Sequence, residues 1–299
     1  MSMTPDELRS RLGRLGIWMP PPAWIGADPA ATAAAVERAG FTSLWIGGGN
    51  ATRDAFELLR PLLSGTERLL VATGIVNIWA WEPAQLRSDA AALAREFPGR
   101  FILGLGVSHQ PLVTSLGHAY ERPLEKMEKF LDELDHPAQH ITDDAELPPV
   151  VLAALGPRML TLAAEQTAGA HPYFTPPEHT AFARSVLGKS PLLVPEQAVS
   201  LAADPAEGRL AARAYAERYL QLPNYTRNLQ RFGFEPADLA GGGSDRLIDA
   251  VIAAGASSVA ARVRAHLDAG ADHVVLQPLD ASGVFAPGEL DDLATAVAA

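Results

Sequence analysis

Short apolar runs recur along the chain, and longer segments with helical periodicity separate them. The runs have no helical repeat and are bounded by Gly or Pro, which is typical of strands buried on both faces of a parallel sheet. They predict eight strands, at residues 15–19, 44–46, 69–76, 101–105, 149–155, 171–174, 192–194 and 273–277. The segments between them predict helices at about 29–39, 54–63, 83–97, 123–134, 156–168, 178–187 and 257–269.

Strands and helices in regular turn predict one fold above others, a single (β/α)8 TIM barrel of the α/β class that spans residues 1–299. A doubly wound open sheet is the alternative, but eight near-regular units favour closure. Residues 205–255 do not fit one unit, because Pro223, Gly233 and the glycines at 241–243 divide them into two or three helical segments. We interpret this stretch as a helical insertion after strand seven that lies over the barrel mouth.

The composition of the chain limits the binding partners that we expect for it. The chain has 299 residues and a net charge of −11, so we expect neither nucleic acid nor an anionic membrane surface as its main partner. It has no cysteine, which excludes disulfides, thiolate metal sites and cysteine nucleophiles. The N-terminal residues lack the pattern of a signal peptide, and no apolar run approaches the roughly 20 residues needed to span a bilayer. We therefore expect a soluble, cytoplasmic protein.

In a barrel the active residues lie at the carboxyl ends of the strands and in the loops that follow. This rule selects residues 47–50, Asn77, Trp79, Trp81, His109, residues 156–158, His171, Tyr173, Glu196 and Gln277. The eight histidines are scattered without a metal-binding spacing, no nucleophile elbow is present, and none of the three lysines follows a strand, so we expect no metal site. A barrel mouth of aromatics, glycines and a few polar side chains cannot easily do hard chemistry unaided, and a bound organic cofactor would supply it, with the protein contributing position and electrostatics.

The residues offer candidate contacts for a flat cofactor. Trp45, Trp79 and Trp81 would suit a ring, although tryptophans in barrels are often only core. Gly104 and Gly106 remove side chains near the end of strand four, where we expect a close approach to the backbone. Residues 156–158 (Gly-Pro-Arg) open a helix directly after strand five, which suits an anionic group but is equally compatible with a tight turn.

Several motifs together resemble the bacterial luciferase-like monooxygenase superfamily, and within it the deazaflavin (coenzyme F420)-dependent oxidoreductases. The resemblance covers nearly the whole chain. It is carried by SLWIG at 43–47, VATGIVNIWA at 71–80, PGRFILGLGVSH at 98–109 and ALGPRM at 154–159, and supported by GAHPY at 169–173, PNY at 223–225 and GGGSDR at 241–246.

The resemblance implies a flavin or deazaflavin at the barrel mouth. It implies a non-proline cis peptide bond in strand three, here between Gly74 and Ile75, and a catalytic acid at the exit of strand four, here His109. On the same basis we expect cofactor contacts from Gly74, Ile75, Asn77, Gly106, Ser108, Gly156, Pro157, Arg158, Tyr173 and Thr175. The expected substrate pocket comprises Trp45, Trp79, Trp81, His171 and Tyr225.

The chain also departs from the family pattern. Many relatives carry an acidic residue or an Asp-His pair where Gly48 and Gly49 stand, and an arginine where Trp81 stands. These departures suggest a more apolar or differently shaped substrate, and a non-catalytic cofactor carrier is a further possibility.

Three hypotheses follow. The first is hydride transfer between coenzyme F420 and a small organic substrate, with His109 giving or taking the accompanying proton. The second keeps the fold but binds FMN and acts as a monooxygenase. The third is a cofactor-free barrel that binds a ligand. Relatives are commonly homodimers, and we expect the same here.

Overall fold

The computed structural model describes residues 3–20, 28–47, 54–135, 146–280 and 287–298. The apolar runs form short parallel strands, as their composition predicts. The strands are β1 (Leu15–Met19), β2 (Ser43–Ile46), β3 (Leu70–Thr73), β4 (Val76–Asn77), β5 (Phe101–Gly106), β6 (Val150–Leu152), β7 (Gly169–Ala170), β8 (Leu192–Leu193), β9 (Glu196–Ser200), β10 (Ile252–Ala254) and β11 (Val274–Pro278).

Helices follow most strands, and most begin at a proline, whose fixed φ and missing N–H suit the first helical turn. The helices are α1 (Pro5–Leu12), α2 (Pro29–Arg38), α3 (Asp54–Ser64), α4 (Pro83–Glu96), α5 (Gln110–Ser115), α6 (Pro123–Asp135), α7 (Pro157–Gln166), α8 (Pro177–Leu187), α9 (Pro205–Leu220), α10 (Pro223–Arg231), α11 (Asp245–Val251), α12 (Ala256–Asp268) and α13 (Leu290–Ala298), with 3-10 turns at Ile78–Ala80 and Pro287–Glu289.

All strand pairs in the described residues are parallel, in the order β10-β9-β11-β1-β2-β3-β5-β6-β7-β8, with β4 also paired to β5. The segment from β8 to β9 closes this sheet. On one side Val194 N–H donates to Ala170 O (2.9 Å), and on the other Val275 N–H donates to Pro195 O (3.0 Å). The α/β class and the parallel sheet predicted from the sequence are confirmed.

Side chains alternate between two cores, as the two-residue period of a strand requires. Ile17 and Met19 of β1 point outward and pack among the helices. Trp18, between them, points into the barrel with Trp45 of β2. Burial on both sides therefore explains why these strands have no polar face.

The structure corrects three strand assignments. Strand three is divided at Gly74–Ile75 into β3 and β4. Strand six is Gly169–Ala170, and residues 171–174 follow it as a loop, because Pro172 has no N–H to donate and Phe174 has a left-handed φ of 56°. Strand seven continues beyond Pro195 to Ser200, since Pro195 still offers its carbonyl to β11.

Three helices, α9 to α11, lie between β9 and β10, in the stretch where the sequence predicts an insertion. Their apolar faces join the barrel-interior core: Tyr215 of α9, Leu229 of α10 and Ile248 of α11 are all buried there with Phe174. These helices therefore place side chains over the carboxyl ends of the strands. None of the helices in the described ranges is long and apolar enough to cross a membrane.

Candidate active site

A cavity of about 380 Å³ opens at the carboxyl ends of the strands. Strand exits form its floor and α9 and α10 form its roof. The aromatic and polar residues that line it are Trp18, Ser108, His109, Tyr120, His171, Tyr173, Tyr219, Asn224 and Tyr225. No described Asp, Glu, Lys or Arg lines it, so the two histidines are the titratable groups near neutral pH in this wall.

The break in strand three shapes the cavity floor. The Gly74–Ile75 peptide bond is cis, as the resemblance implies. Thr73 spans the break, because its hydroxyl donates to Gly104 O (2.9 Å) and accepts from Gly104 N–H (2.8 Å). Ile75 lines the cavity just beyond.

The glycines of β5 serve this break rather than a ligand. A Cβ on Gly104 would lie 2.0 Å from Thr73 O, and a Cβ on Gly106 would lie 2.6 Å from the Ile75 side chain. Gly106 does not line the cavity, so its assignment as a cofactor contact is corrected: it makes room for Ile75, which does.

His109 stands at the strand-four exit, immediately after Ser108, whose φ of 57° is left-handed. Its Nδ1 lies 3.2 Å from Asn224 Oδ1. Because that oxygen can only accept, Nδ1 carries the proton, and Nε2 of the neutral ring is left as the basic nitrogen. Burial lowers the pKa of His109, and the bond to Asn224 acts in the opposite direction. The neutral imidazole therefore prevails at neutral pH.

His171 also lines the cavity but is buried. Its Nδ1–H donates to Val194 O (2.7 Å), and its ring stacks on Trp45 with centroids 4.5 Å apart. Its Nε2 has no hydrogen-bond partner and lies near Gly74. Burial lowers the pKa of His171 to about 4, so this ring is neutral.

Aromatic rings make up the inner wall. Tyr173 packs on Trp18 with centroids 5.0 Å apart. Tyr225 lies beside His109 at 5.4 Å and beside Phe174 at 5.7 Å. Tyr173, expected as a cofactor contact, and Tyr225 and His171, expected in the substrate pocket, all line the cavity.

The three tryptophans assigned to the substrate pocket lie outside it. Trp45 is fully buried in the barrel, where its Nε1–H donates to Ser43 (3.0 Å). Trp81 packs edge-on against Phe56 in the outer core. Trp79 donates to Val107 O (3.0 Å) and stands behind Tyr120, with ring centroids 5.9 Å apart. Each is withdrawn from the cavity by its own hydrogen bond or packing.

Asn77 is likewise buried below the cavity surface. Its Oδ1 accepts from Trp79 N–H (3.1 Å) and starts the 3-10 turn, while its Nδ2 has no partner. Asn77 therefore positions the loop after β4. Gly48 and Gly49, which stand where relatives carry polar residues, lie outside the described residues, whereas Gly47 lines the cavity.

At Gly156, where the sequence suits an anionic group, the structure places an arginine that the sequence did not indicate. Gly156 and Pro157 begin α7, but the Arg158 side chain is exposed and away from the cavity lining. Arg231 of α10 takes its place, because its Nη1 lies 3.2 Å from where a Cβ on Gly156 would be. The phosphate contact of Arg158 stays a prediction, and Arg231 is the cation that lies beside Gly156.

Two further residues, Asn228 and Thr175, have buried polar atoms without a hydrogen-bond partner. Asn228 is buried with neither amide atom hydrogen-bonded, and the hydroxyl of Thr175 is buried without a partner. Asn224, Asn228 and Arg231 recur at four and three residues, so they share one face of α10. Polar groups left unsatisfied in this way are suited to a ligand.

Sequence reasoning missed Trp18, Tyr219, Asn224 and Arg231. The strand-end rule could have found Trp18, which precedes the last residue of β1. The other three lie in the region read as an insertion, where no strand-end rule applies.

The sequence matches the family model described as luciferase-like monooxygenase over residues 26–272. A 5,10-methylenetetrahydromethanopterin reductase of Methanolobus tindarius is 27% identical over 149 residues, which are 44% of this chain and 46% of that protein. A Mycobacterium tuberculosis protein named as a coenzyme F420-dependent oxidoreductase is 28% identical over 207 residues, 57% of each chain. The matched segments thus span about half the length of these relatives.

Solved structures share the fold over nearly the whole chain. The coenzyme F420-dependent tetrahydromethanopterin reductase of Methanopyrus kandleri has a TM-score of 0.77 at 17% identity, covering 96% of this chain and 98% of that one. The oxygenating constituent of 3,6-diketocamphane monooxygenase from Pseudomonas putida, solved with FMN, has a TM-score of 0.66 at 15% identity, covering 94% and 93%.

Proposed function

Because the chain belongs to the luciferase-like monooxygenase family, we propose that it transfers a hydride between coenzyme F420 and a small, uncharged organic substrate. The observation that carries this proposal is the cavity at the strand ends, which joins the cis Gly74–Ile75 bond to a neutral, anchored His109. The names of the matched reductase structure and of the Mycobacterium relative support the choice of cofactor.

The residues present fit a flat, tailed cofactor. The cavity volume lies within the range of small-molecule sites. Ile75 and Trp18 offer it apolar contacts and Ser108 a polar one, because the Trp18 Nε1–H already donates to Gly74 O (3.2 Å), and His171 Nε2 has room for a donor. When bound, the deazaflavin supplies the hydride chemistry that the side chains lack.

The anionic end of the cofactor would lie at the start of α7. Arg231 supplies the positive charge there, and the free N–H groups of the first turn point the same way. The Asn228 Nδ2–H and the Thr175 hydroxyl, both without a partner, would donate to phosphate oxygens.

The substrate would be uncharged. An ionic group would lose its hydration in a cavity whose described lining offers no opposite charge, and such desolvation costs several kcal/mol. His109 would take the substrate's proton at Nε2 when a hydroxyl is oxidised, or return it in reduction. Asn224 holds the ring in the tautomer that this transfer needs.

Titration of the purified protein with oxidised coenzyme F420 and, separately, with FMN tests this proposal. We expect a saturable change in deazaflavin fluorescence at micromolar concentration and binding of FMN at least tenfold weaker. Coenzyme F420 failing to bind while FMN binds tightly would instead support the second candidate, an FMN-dependent monooxygenase. The observation behind this second candidate is the fold that the chain shares with the FMN-bound monooxygenase.

A further inference from the structure

Behind the inner wall of the cavity lies a buried carboxyl group that the proposed reaction does not use. Glu196 is the first residue of β9 and is 1% exposed. Its Oε2 accepts from Phe174 N–H at 3.1 Å. Its Oε1 faces the hydroxyl of Tyr215 at 3.4 Å. Glu196 thus joins the strained loop after β7 to helix α9.

Three tyrosine hydroxyls continue from Glu196 toward the cavity. Tyr215 and Tyr219 of α9 each lie 2.8 Å, oxygen to oxygen, from Tyr173. The Tyr173 hydroxyl also lies 2.8 Å from Gln277 Oε1 of β11. Tyr173 and Tyr219 line the cavity, so the network connects a buried acid to the ligand site.

Counting protons gives every bond of this network a direction. Gln277 Oε1 can only accept, so the single hydroxyl proton of Tyr173 is committed to it. Tyr215 and Tyr219 must then each donate to Tyr173. The three phenol protons are then all used in the three 2.8 Å bonds, so the Tyr215 hydroxyl, 3.4 Å from Glu196 Oε1 and from Gln277 Oε1, has no second proton for either oxygen.

An ionised Glu196 carboxylate would therefore be repelled by a lone pair of the Tyr215 oxygen in a buried site. A protonated Glu196 would instead donate a hydrogen bond to that oxygen. No described Lys, Arg or His forms an ion pair with Glu196. The titratable groups facing it are the phenols of Tyr173, Tyr215, Tyr219 and Tyr225. On α9, Arg218 lies over the Tyr215 ring at 5.6 Å.

We propose that Glu196 is protonated in the working protein and acts as a positioning residue, which orients the Tyr215–Tyr173–Tyr219 hydroxyls and holds Phe174 in its left-handed conformation. The high pKa that burial gives this carboxyl, about 8, agrees with the proton count. The proposal concerns the protein alone and does not depend on which cofactor binds.

The direction of the network has a consequence for the ligand. Tyr219 donates inward, so toward the cavity its oxygen can only accept. A ligand that uses Tyr219 must bring an O–H or N–H donor. Ionisation of Glu196 would draw the Tyr215 proton away from Tyr173 and disturb this arrangement.

Infrared difference spectra between the wild type and Glu196→Gln test the proposal. At pH 7 we expect the wild type to show the carbonyl stretch of a protonated carboxylic acid that the variant lacks. The amide replaces the neutral acid with the same acceptor and donor, so the variant should fold. Glu178→Gln, at an exposed site, is the matched control and should leave that band unchanged. Absence of the band from wild type at pH 7 would overturn the proposal.

Two further measurements test the positioning role. Tyr215→Phe should shift the carboxylic-acid band, because the acid loses its acceptor, without removing it; an unmoved band would contradict the network. Affinity for oxidised coenzyme F420 and for FMN should fall at least threefold from pH 7 to pH 9 in wild type and remain constant in Glu196→Gln. Equal pH dependence in both proteins would refute the role. If neither cofactor binds, the proposed function fails, and the infrared bands still decide the state of Glu196.

Discussion

His109 illustrates how the surroundings of a single side chain decide its chemistry. A histidine at a strand exit could be a surface residue, but Asn224 fixes its tautomer and burial keeps the ring neutral. A neutral imidazole with Nε2 unprotonated is ready to accept a proton, which is what oxidation of a hydroxyl requires.

Replacing His109 with Ala should reduce turnover of coenzyme F420 by at least about 100-fold, the usual contribution of general acid–base catalysis. Cofactor affinity should change by no more than a few fold. His118→Ala, at an exposed position nearby, is the control and should retain turnover. In wild type the acid limb of the pH profile should lie below pH 6.5, because burial lowers the pKa of His109. Unchanged turnover in His109→Ala would exclude the proposed role.

The protonated state of Glu196 should also appear in the stability of the protein. Burial raises its pKa from 4.5 to about 8 in the folded state, so the folded protein binds one more proton than the unfolded chain between these values. This group therefore makes the free energy of unfolding fall as pH rises from 4.5 to 8, by up to about 1.4 kcal/mol per pH unit. Denaturant unfolding should show a shallower pH dependence in Glu196→Gln over that window. Parallel curves for the two proteins would contradict the raised pKa.

Secondary-structure elements determine where the strand-three break can form. The break needs β5 to approach closely, and Gly104 permits it because a Cβ there would meet Thr73 O at 2.0 Å. Gly104→Ala should lower the free energy of unfolding by about 1–3 kcal/mol or more, the cost of overpacking a core. Gly288→Ala is the control, because a Cβ there meets no atom within 4 Å. Equal stability of the two variants would argue against the close approach.

Helix α10 contributes one continuous polar face to the site, from Asn224 to Arg231. Arg231→Gln should weaken FMN binding about tenfold or more, since a hydrogen bond to a charged group contributes about 1.5–3 kcal/mol. Binding of riboflavin, which lacks the phosphate, should change little. Arg158→Gln is the matched control and should bind FMN like wild type. If Arg158→Gln weakened FMN binding more than Arg231→Gln did, Arg158 would be the phosphate contact.

At the scale of the whole molecule, one carboxylate near the start of β11 supports the closure of the barrel. Asp272 Oδ2 accepts from Leu193 N–H of β8 (2.9 Å) and from Arg184 of α8 (2.6 Å), and its Oδ1 accepts from Arg9 of α1 (2.7 Å). Its side chain is only 15% exposed, so these charges are partly shielded from water. This cluster ties together the strands where the sheet closes.

Asp272→Asn should lower the free energy of unfolding by about 1–3 kcal/mol, because Arg184 loses its counter-ion and Arg9, which keeps Asp6, loses one of two, while the shape is kept. Asp249→Asn is the control. Its pair with Arg209 is 49% and 40% exposed, so its loss should cost less than about 1 kcal/mol. Chemical denaturation of both variants would measure the difference, and a larger loss in Asp249→Asn would contradict the role of Asp272 in closure.

The sequence by itself determined the α/β class, the parallel strands, the family resemblance and the position of His109 at a strand exit. These follow from local pattern: apolar runs without a helical period, proline at helix starts and residues just beyond strand ends. The sequence misplaced strand six. It also assigned Trp45, Trp79 and Trp81 to the pocket, because a sequence pattern shows that a ring is apolar but not in which of the two cores it packs.

Only the tertiary structure decided the composition of the site. Asn224 and Tyr219 reach the cavity from helices more than a hundred residues beyond strand three, and no local rule links them to it. Packing also decided the charge of Glu196. In the sequence it is an ordinary carboxylate, whereas in the fold phenols surround it, no cation of the described residues pairs with it, and we propose that it is a neutral acid. Protonation and contact depend on distance in space, which the order of residues alone does not contain.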